Sequence, residues 1–191
     1  LFRAFSEVIE QVADDALRVY LYHIPPVSGV PLELSLVERL AEAYPNFVVG
    51  LKDSSGEWSY TETLLRSHPK FQVFSGTEEF LRKNLIAGGC GTITAVANVN
   101  ASAIRVAYDN FQNDKGEDNQ LAITRRRKII QSQPMIPALK SIIATITGDD
   151  NWRRVRPPLE PLSISNTNSL LKSLTEDGYL PISSVADYKV S

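Results

Sequence analysis

Residues 18–111 alternate four times between a short run rich in β-branched and aromatic residues and a longer run with helical spacing, an order that few folds accept. The first run, Arg18-Val-Tyr-Leu-Tyr-His-Ile24, reads as a strand that stops at Pro25-Pro26, and Pro-Pro-Val-Ser-Gly reads as a loop. Residues 34–44 follow as a helix, with Leu36, Val37, Leu40 and Ala41 on one face and Ser35 placed to cap it. The second unit has a strand over 47–53, a loop at Ser54-Ser-Gly56 and a helix over 59–67. The third has a strand over 71–75, a turn at Gly76 and a helix over 78–87. Gly88-Gly89 stops that helix, and the fourth unit places a strand over 91–96 and a helix over 101–111. Repeated βα units of this length build a parallel sheet with right-handed crossovers, so the fold class is α/β.

Flanking segments read as helix only. Residues 1–12 put Leu1, Phe2, Phe5, Val8, Ile9 and Val12 on one face. Beyond Phe111, helices are expected over 117–131, 136–147 and 166–177, and Arg156-Pro-Pro-Leu-Glu-Pro-Leu162 separates the last of them. Tyr179-Leu-Pro is too short to count as a strand. This divides the chain into a βα region, residues 1–112, and a helical region, residues 113–191, expected to pack on the sheet layer.

Several function classes are disfavoured. The 20 basic and 22 acidic residues leave a formal charge of -2, which gives no electrostatic case for nucleic acid or an anionic membrane. The apolar runs are too short and too interrupted to span a bilayer. The single cysteine, Cys90, cannot form an internal disulfide, which with no visible signal peptide suggests a reducing cytoplasm. Only His23 and His68 are present, with no acidic cluster at ligand spacing, so a metal centre is not expected. No phosphate-binding glycine loop follows a strand: Gly88-Gly89-Cys90-Gly91 precedes one. No organic cofactor is expected either.

Two residues are chemically unusual in their places. Lys52 lies in Val48-Val-Gly-Leu-Lys-Asp53, a strand that reads as buried on both faces, where lysine is rarely found. It is expected either to reach water or Asp53 from the strand end, or to sit desolvated as a nucleophilic amine. Tyr22 ends the preceding strand, where it either packs or passes protons. Adjacent parallel strands place their inward side chains within reach of each other, and the C-terminal strand ends are where barrels keep catalytic groups.

At these residues the chain resembles the dihydrodipicolinate synthase and N-acetylneuraminate lyase family of pyruvate-dependent class I aldolases. Tyr22-His-Ile-Pro-Pro-Val-Ser-Gly29 is similar to its tyrosine segment, and Gly50-Leu-Lys-Asp-Ser-Ser-Gly56 to its lysine segment. Ser75-Gly76, Gly91-Thr-Ile-Thr-Ala-Val-Ala-Asn98 and Arg156-Pro-Pro-Leu match later segments in order. The resemblance implies that the chain is the C-terminal half, strands five to eight, of a (β/α)8 TIM barrel plus a helical appendage. It further implies that Lys52 forms a Schiff base with pyruvate or another 2-keto acid, that Tyr22 shuttles protons, and that Ile93 offers its backbone carbonyl to the substrate. A homotetramer acting on a 2-keto acid and an aldehyde is implied as well.

Departures refine this expectation. Val27 stands where the synthase subgroup has an arginine, and Pro-x-x-Ser-Gly looks more like the sugar-acid lyase branch; a dehydratase using the same imine is the related alternative. His23 replaces the usual asparagine, and either tunes Tyr22 or makes a structural hydrogen bond. Asn98 reads by itself as a helix cap, and Ile93 as a core strand residue. The chain starts at Leu1 inside a helix and lacks the family's upstream threonine loop, so it is expected to be a partial record of a longer protein, roughly a hundred residues short of a barrel of about 250. A chain of these residues alone is expected to pair as half-barrels or aggregate, and a catalytically incomplete remnant is the non-enzymatic reading.

Overall fold

The computed structural model describes residues 1–179. Its sheet has four parallel strands in the order β1-β2-β3-β4: β1 is Val19–His23, β2 Val48–Asp53, β3 Gln72–Ser75 and β4 Gly91–Thr92. The helices are α1 (Phe2–Val12), α2 (Pro25–Ser28), α3 (Leu34–Ala43), α4 (Trp58–Ser67), α5 (Leu81–Ile86), α6 (Ala97–Asp109), α7 (Gly116–Gln131), α8 (Met135–Thr147) and α9 (Ile164–Glu176). The α/β class and the parallel sheet therefore follow the repeated βα pattern. Leu180 and the residues after it lie outside the described part, including most of Tyr179-Leu-Pro.

Two compact units divide the chain, Leu1–Thr94 and Ala95 onward. The division falls before α6 rather than after residue 112, because Val96 and Val99 share a core with Ile130, Ala138, Ile142, Leu170 and Leu174. In this helical unit Asp177 pairs with Arg125 and Arg126, and Arg126 also donates to Asn100 at 2.8 Å.

The βα unit buries one face of its sheet. Leu21, Leu51 and Val73, register partners on three neighbouring strands, are 1% exposed or less and pack with Val37, Leu40 and Leu64 of α3 and α4. Each leucine buried this way contributes about 1.5–3 kcal/mol. Strand alternation sends the intervening side chains the other way, so Tyr20, Tyr22, Lys52, Gln72 and Phe74 line the opposite face. That face is not closed over: Tyr20 and Tyr22 remain 44% and 48% exposed. The expectation that β2 is buried on both faces is corrected accordingly, since Lys52 is only half-buried while Leu51 and Asp53 are buried.

Gly50 is the point where the open face leaves no room. A Cβ there would meet the Tyr20 ring at 2.6 Å and the Gln72 carbonyl oxygen more closely still. Tyr20 crosses this gap to stack edge-on with Phe74, ring centroids 5.9 Å apart, and its hydroxyl donates to the Gln72 side chain. Gly50→Ala is therefore expected to destabilise the protein by about 1–3 kcal/mol through overpacking, read as a lower urea midpoint at unchanged slope.

Local differences from the sequence-based boundaries have identifiable causes. Pro25–Ser28 forms a single helical turn rather than a loop, with proline at its first positions and Gly29 closing it at φ 67. Glu33, not Ser35, is the cap position of α3, and Ser35 falls inside the helix. The third unit opens with a 3-10 turn, Glu78–Phe80, because the Thr77 hydroxyl accepts from the Glu79 amide and tightens the start. The fourth strand has two residues instead of six: β3 ends at Ser75, so the ladder has nothing left to pair with after Thr92. α6 begins at Ala97, with a non-helical residue at Asn100, and so Asn98 lies within it, its side-chain amide donating back to the Ala95 carbonyl at 2.8 Å. Ile93 is likewise not a core strand residue; it lies beyond β4, with its side chain 47% exposed.

Candidate active site

The parallel register sets Tyr22 opposite Lys52, Lys52 opposite Phe74 and Phe74 opposite Gly91, a row across the C-terminal end of the sheet. One residue further along, His23, Asp53 and Ser75 form the next row and point to the helix side, all buried. The two residues singled out in the sequence thus meet on the open face. Lys52 Nζ donates to the Tyr22 hydroxyl at 3.0 Å and lies 4.2 Å from the centroid of the same ring.

This contact sets the electrostatics of the phenol. The hydrogen bond from Lys52 holds the Tyr22 hydroxyl below the ordinary tyrosine range against the opposing effect of burial, and a hydrogen bond with the Ser54 side chain adds a smaller effect in the same direction as Lys52. Tyr22 should consequently ionise at lower pH than a free tyrosine. In Lys52→Met the largest cause is removed, so its ionisation should move upward, visible as loss of the earliest phase in an ultraviolet tyrosinate titration.

Asp53 is not a partner of Lys52. Its carboxyl faces the helices, where it accepts from the Thr61 hydroxyl at 2.6 Å and the Ser55 amide at 2.9 Å. The reading of Lys52 as a lysine anchored to Asp53 is overturned by this alternation. His23 is also turned away from the open face: its ring meets Tyr60 edge-on, centroids 4.0 Å apart, and burial lowers its pKa against the pull of Asp53 and Glu33. Among the described residues its Nδ1 has no hydrogen-bond partner, so the expected structural hydrogen bond is absent there.

Ile93 follows β4 at the same end of the sheet. Its amide donates to the Ser75 carbonyl at 2.9 Å, and among the described residues none donates to its own carbonyl oxygen. Val27 sits on α2, 78% exposed. Ser54 was not singled out by the sequence, although it stands in the quoted Gly50–Gly56 segment: nothing in a Ser-Ser-Gly turn distinguishes the serine that reaches the phenol. Gly76 makes this arrangement possible, because a Cβ there would run into the Ser54 side chain and lie 2.8 Å from the Asp53 carbonyl oxygen.

Among the described residues no helix is long and apolar enough to cross a membrane, and no group of three or more His, Cys, Asp or Glu is placed to hold a metal ion. The model of the dihydrodipicolinate synthetase family matches residues 2–177. The chain belongs to this family. A relative from Chloroflexus aurantiacus, an uncharacterized DapA-like lyase, is 33% identical over 165 residues, covering 85% of this chain and 53% of the relative. Dihydrodipicolinate synthase from Agrobacterium tumefaciens superposes with a TM-score of 0.80 at 32% identity, over 92% of this chain and 59% of that one. YagE, a prophage protein of the dihydrodipicolinic acid synthase family from E. coli K12 solved in complex with pyruvate, gives 0.81 at 25%, over 94% and 61%. The chain spans about half the length of the curated relative it matches, and its α/β fold matches part of the solved dihydrodipicolinate synthase.

Proposed function

We propose that this protein is a carbon–carbon lyase of the class I aldolase type, with Lys52 forming an imine to pyruvate or another 2-keto acid. The observation that carries this reading is the 3.0 Å contact between Lys52 and Tyr22 on the open sheet face of a dihydrodipicolinate synthetase family member. An imine needs a neutral amine, and the Tyr22 phenolate, the form favoured in a hydroxyl held below its usual range, stands in contact to take the proton from the ammonium. The amine then attacks the keto carbon. Tyr22, now a phenol, returns the proton to the carbinolamine oxygen, water leaves, and the phenolate so regenerated takes a C3 proton from the imine to give an enamine. That enamine adds to an aldehyde carbon in condensation, and the reverse sequence releases pyruvate in cleavage. The Ile93 carbonyl, unoccupied by any donor among the described residues, accepts a hydrogen bond from the bound substrate.

Pyruvate bound to the E. coli relative supports the substrate class. Val27 supports the sugar-acid branch over condensation with an amino-acid semialdehyde, because an exposed apolar side chain offers nothing to a second carboxylate. The four strands stand for half of an eight-stranded barrel, and the same reading carries a cytoplasmic homotetramer.

Enamine formation is measurable without knowing the aldehyde. In D2O the protein should catalyse exchange of the pyruvate methyl protons, followed as loss of the methyl proton signal in NMR spectra. Exchange no faster than in protein-free buffer would overturn the proposal.

A further inference from the structure

We propose that Glu78 and Thr94 are positioning residues that fix the direction of the Ile93 carbonyl; this rests on the reading of that carbonyl as a substrate acceptor. The sheet ladder ends at Thr92, so it does not hold the peptide that carries the Ile93 carbonyl. Two anchors flank that peptide instead. On one side the Ile93 amide donates to the Ser75 carbonyl at 2.9 Å, and on the other the Thr94 hydroxyl donates to Glu78 Oε2 at 2.6 Å. The peptide unit between the two α-carbons is planar, so holding residue 93 by its amide and residue 94 by its side chain sets where the intervening carbonyl points.

One anchor is the last residue of β3, Ser75, and the other, Glu78, follows three residues later. Thr92 adds a third bond, its hydroxyl donating to the same Ser75 carbonyl at 2.8 Å. Glu78 is completely buried and Thr94 is 8% exposed. Burying a carboxyl group is costly unless it is hydrogen-bonded, and an apolar side chain of similar size would fill the space. What an apolar residue could not do is hold the Thr94 hydroxyl. Glu78 thus links the end of β3 to the peptide that presents the carbonyl, while Ile93 itself stays exposed to a ligand.

The test combines borohydride trapping of the pyruvate adduct with amide hydrogen exchange at Ile93. In Thr94→Val, which keeps the shape and loses the hydroxyl, half-saturating pyruvate should rise about fivefold to tenfold, the change matching loss of one net hydrogen bond, while the trapping rate at saturation holds. The Ile93 amide should exchange faster in the same variant, and Thr94→Ser should restore both. Glu78→Leu should move half-saturation in the same direction, with no further rise when Thr94→Val is added to it. Unchanged half-saturation and exchange in Thr94→Val overturn the inference, as does a fall in saturated rate at constant half-saturation. Additive effects in the double variant overturn the role of Glu78. If the wild-type protein gives no adduct at any pyruvate concentration, the proposed function fails, and Ile93 exchange alone decides: faster in Thr94→Val sustains the anchor, unchanged overturns it.

Discussion

Lys52→Ala is expected to bring protein-catalysed exchange of pyruvate methyl protons down to the buffer rate, a fall of at least about a thousandfold. The size follows from the chemistry: the amine is the atom that bonds to the substrate, and nothing nearby replaces it. Tyr22 and Ser54 offer hydroxyls, and Phe74, the register partner on the other side, offers only a ring. Stability should change little. Lys52 is half-buried on a face that is not closed over, so shortening it opens no cavity in the core formed by Leu21, Leu51 and Val73. An unchanged far-ultraviolet spectrum and melting temperature, together with abolished exchange, separate loss of chemistry from loss of fold. Residual exchange above buffer in a folded Lys52→Ala would place the nucleophile elsewhere.

Tyr22→Phe is the second large effect. It removes one oxygen, leaves the ring beneath Lys52 Nζ, and takes away the proton carrier of the proposed sequence. Methyl-proton exchange at saturating pyruvate should fall by about 10²- to 10⁴-fold, the range for a positioned general acid or base. Lys52 remains, so the imine should still form slowly and be trapped by borohydride after long incubation. Exchange within threefold of wild type, about the size of a surface substitution's effect, would limit Tyr22 to packing.

The parts of the fold legible in the sequence were those governed by local pattern. β1, β2 and β3 announce themselves by β-branched and aromatic residues, and the apolar stripe of Leu36, Val37 and Leu40 fixes the register of α3. β4 was less legible, because Gly91-Thr-Ile-Thr-Ala-Val96 has strand composition throughout and only the end of β3 at Ser75 determines where pairing stops. The same limit explains Glu78, which reads as an acidic residue at a helix start and becomes a buried hydrogen-bond acceptor only once Thr94 is folded onto it.

At the candidate site, the proximity of Lys52 and Tyr22 was legible from strand position alone, since parallel neighbours with side chains on one face meet when their ends align. Which face they share was not. Two-residue alternation assigns Lys52 and Asp53 to opposite sides but does not say which side the helices cover, and it is Thr61 and Ser55, occupying the Asp53 carboxyl oxygens, that fix Asp53 on the helix side. Ser54 and Gly76 are tertiary matters. Their contact joins the ends of β2 and β3, and no local propensity encodes it.

The central claim is that Lys52 forms a covalent imine with a 2-keto acid, and borohydride reduction in the presence of pyruvate tests it most directly. After proteolysis, peptide mass spectrometry should find one reduced pyruvate adduct, on Lys52, absent without pyruvate and absent in Lys52→Ala. An adduct on another lysine, or none on the folded protein, would contradict the account.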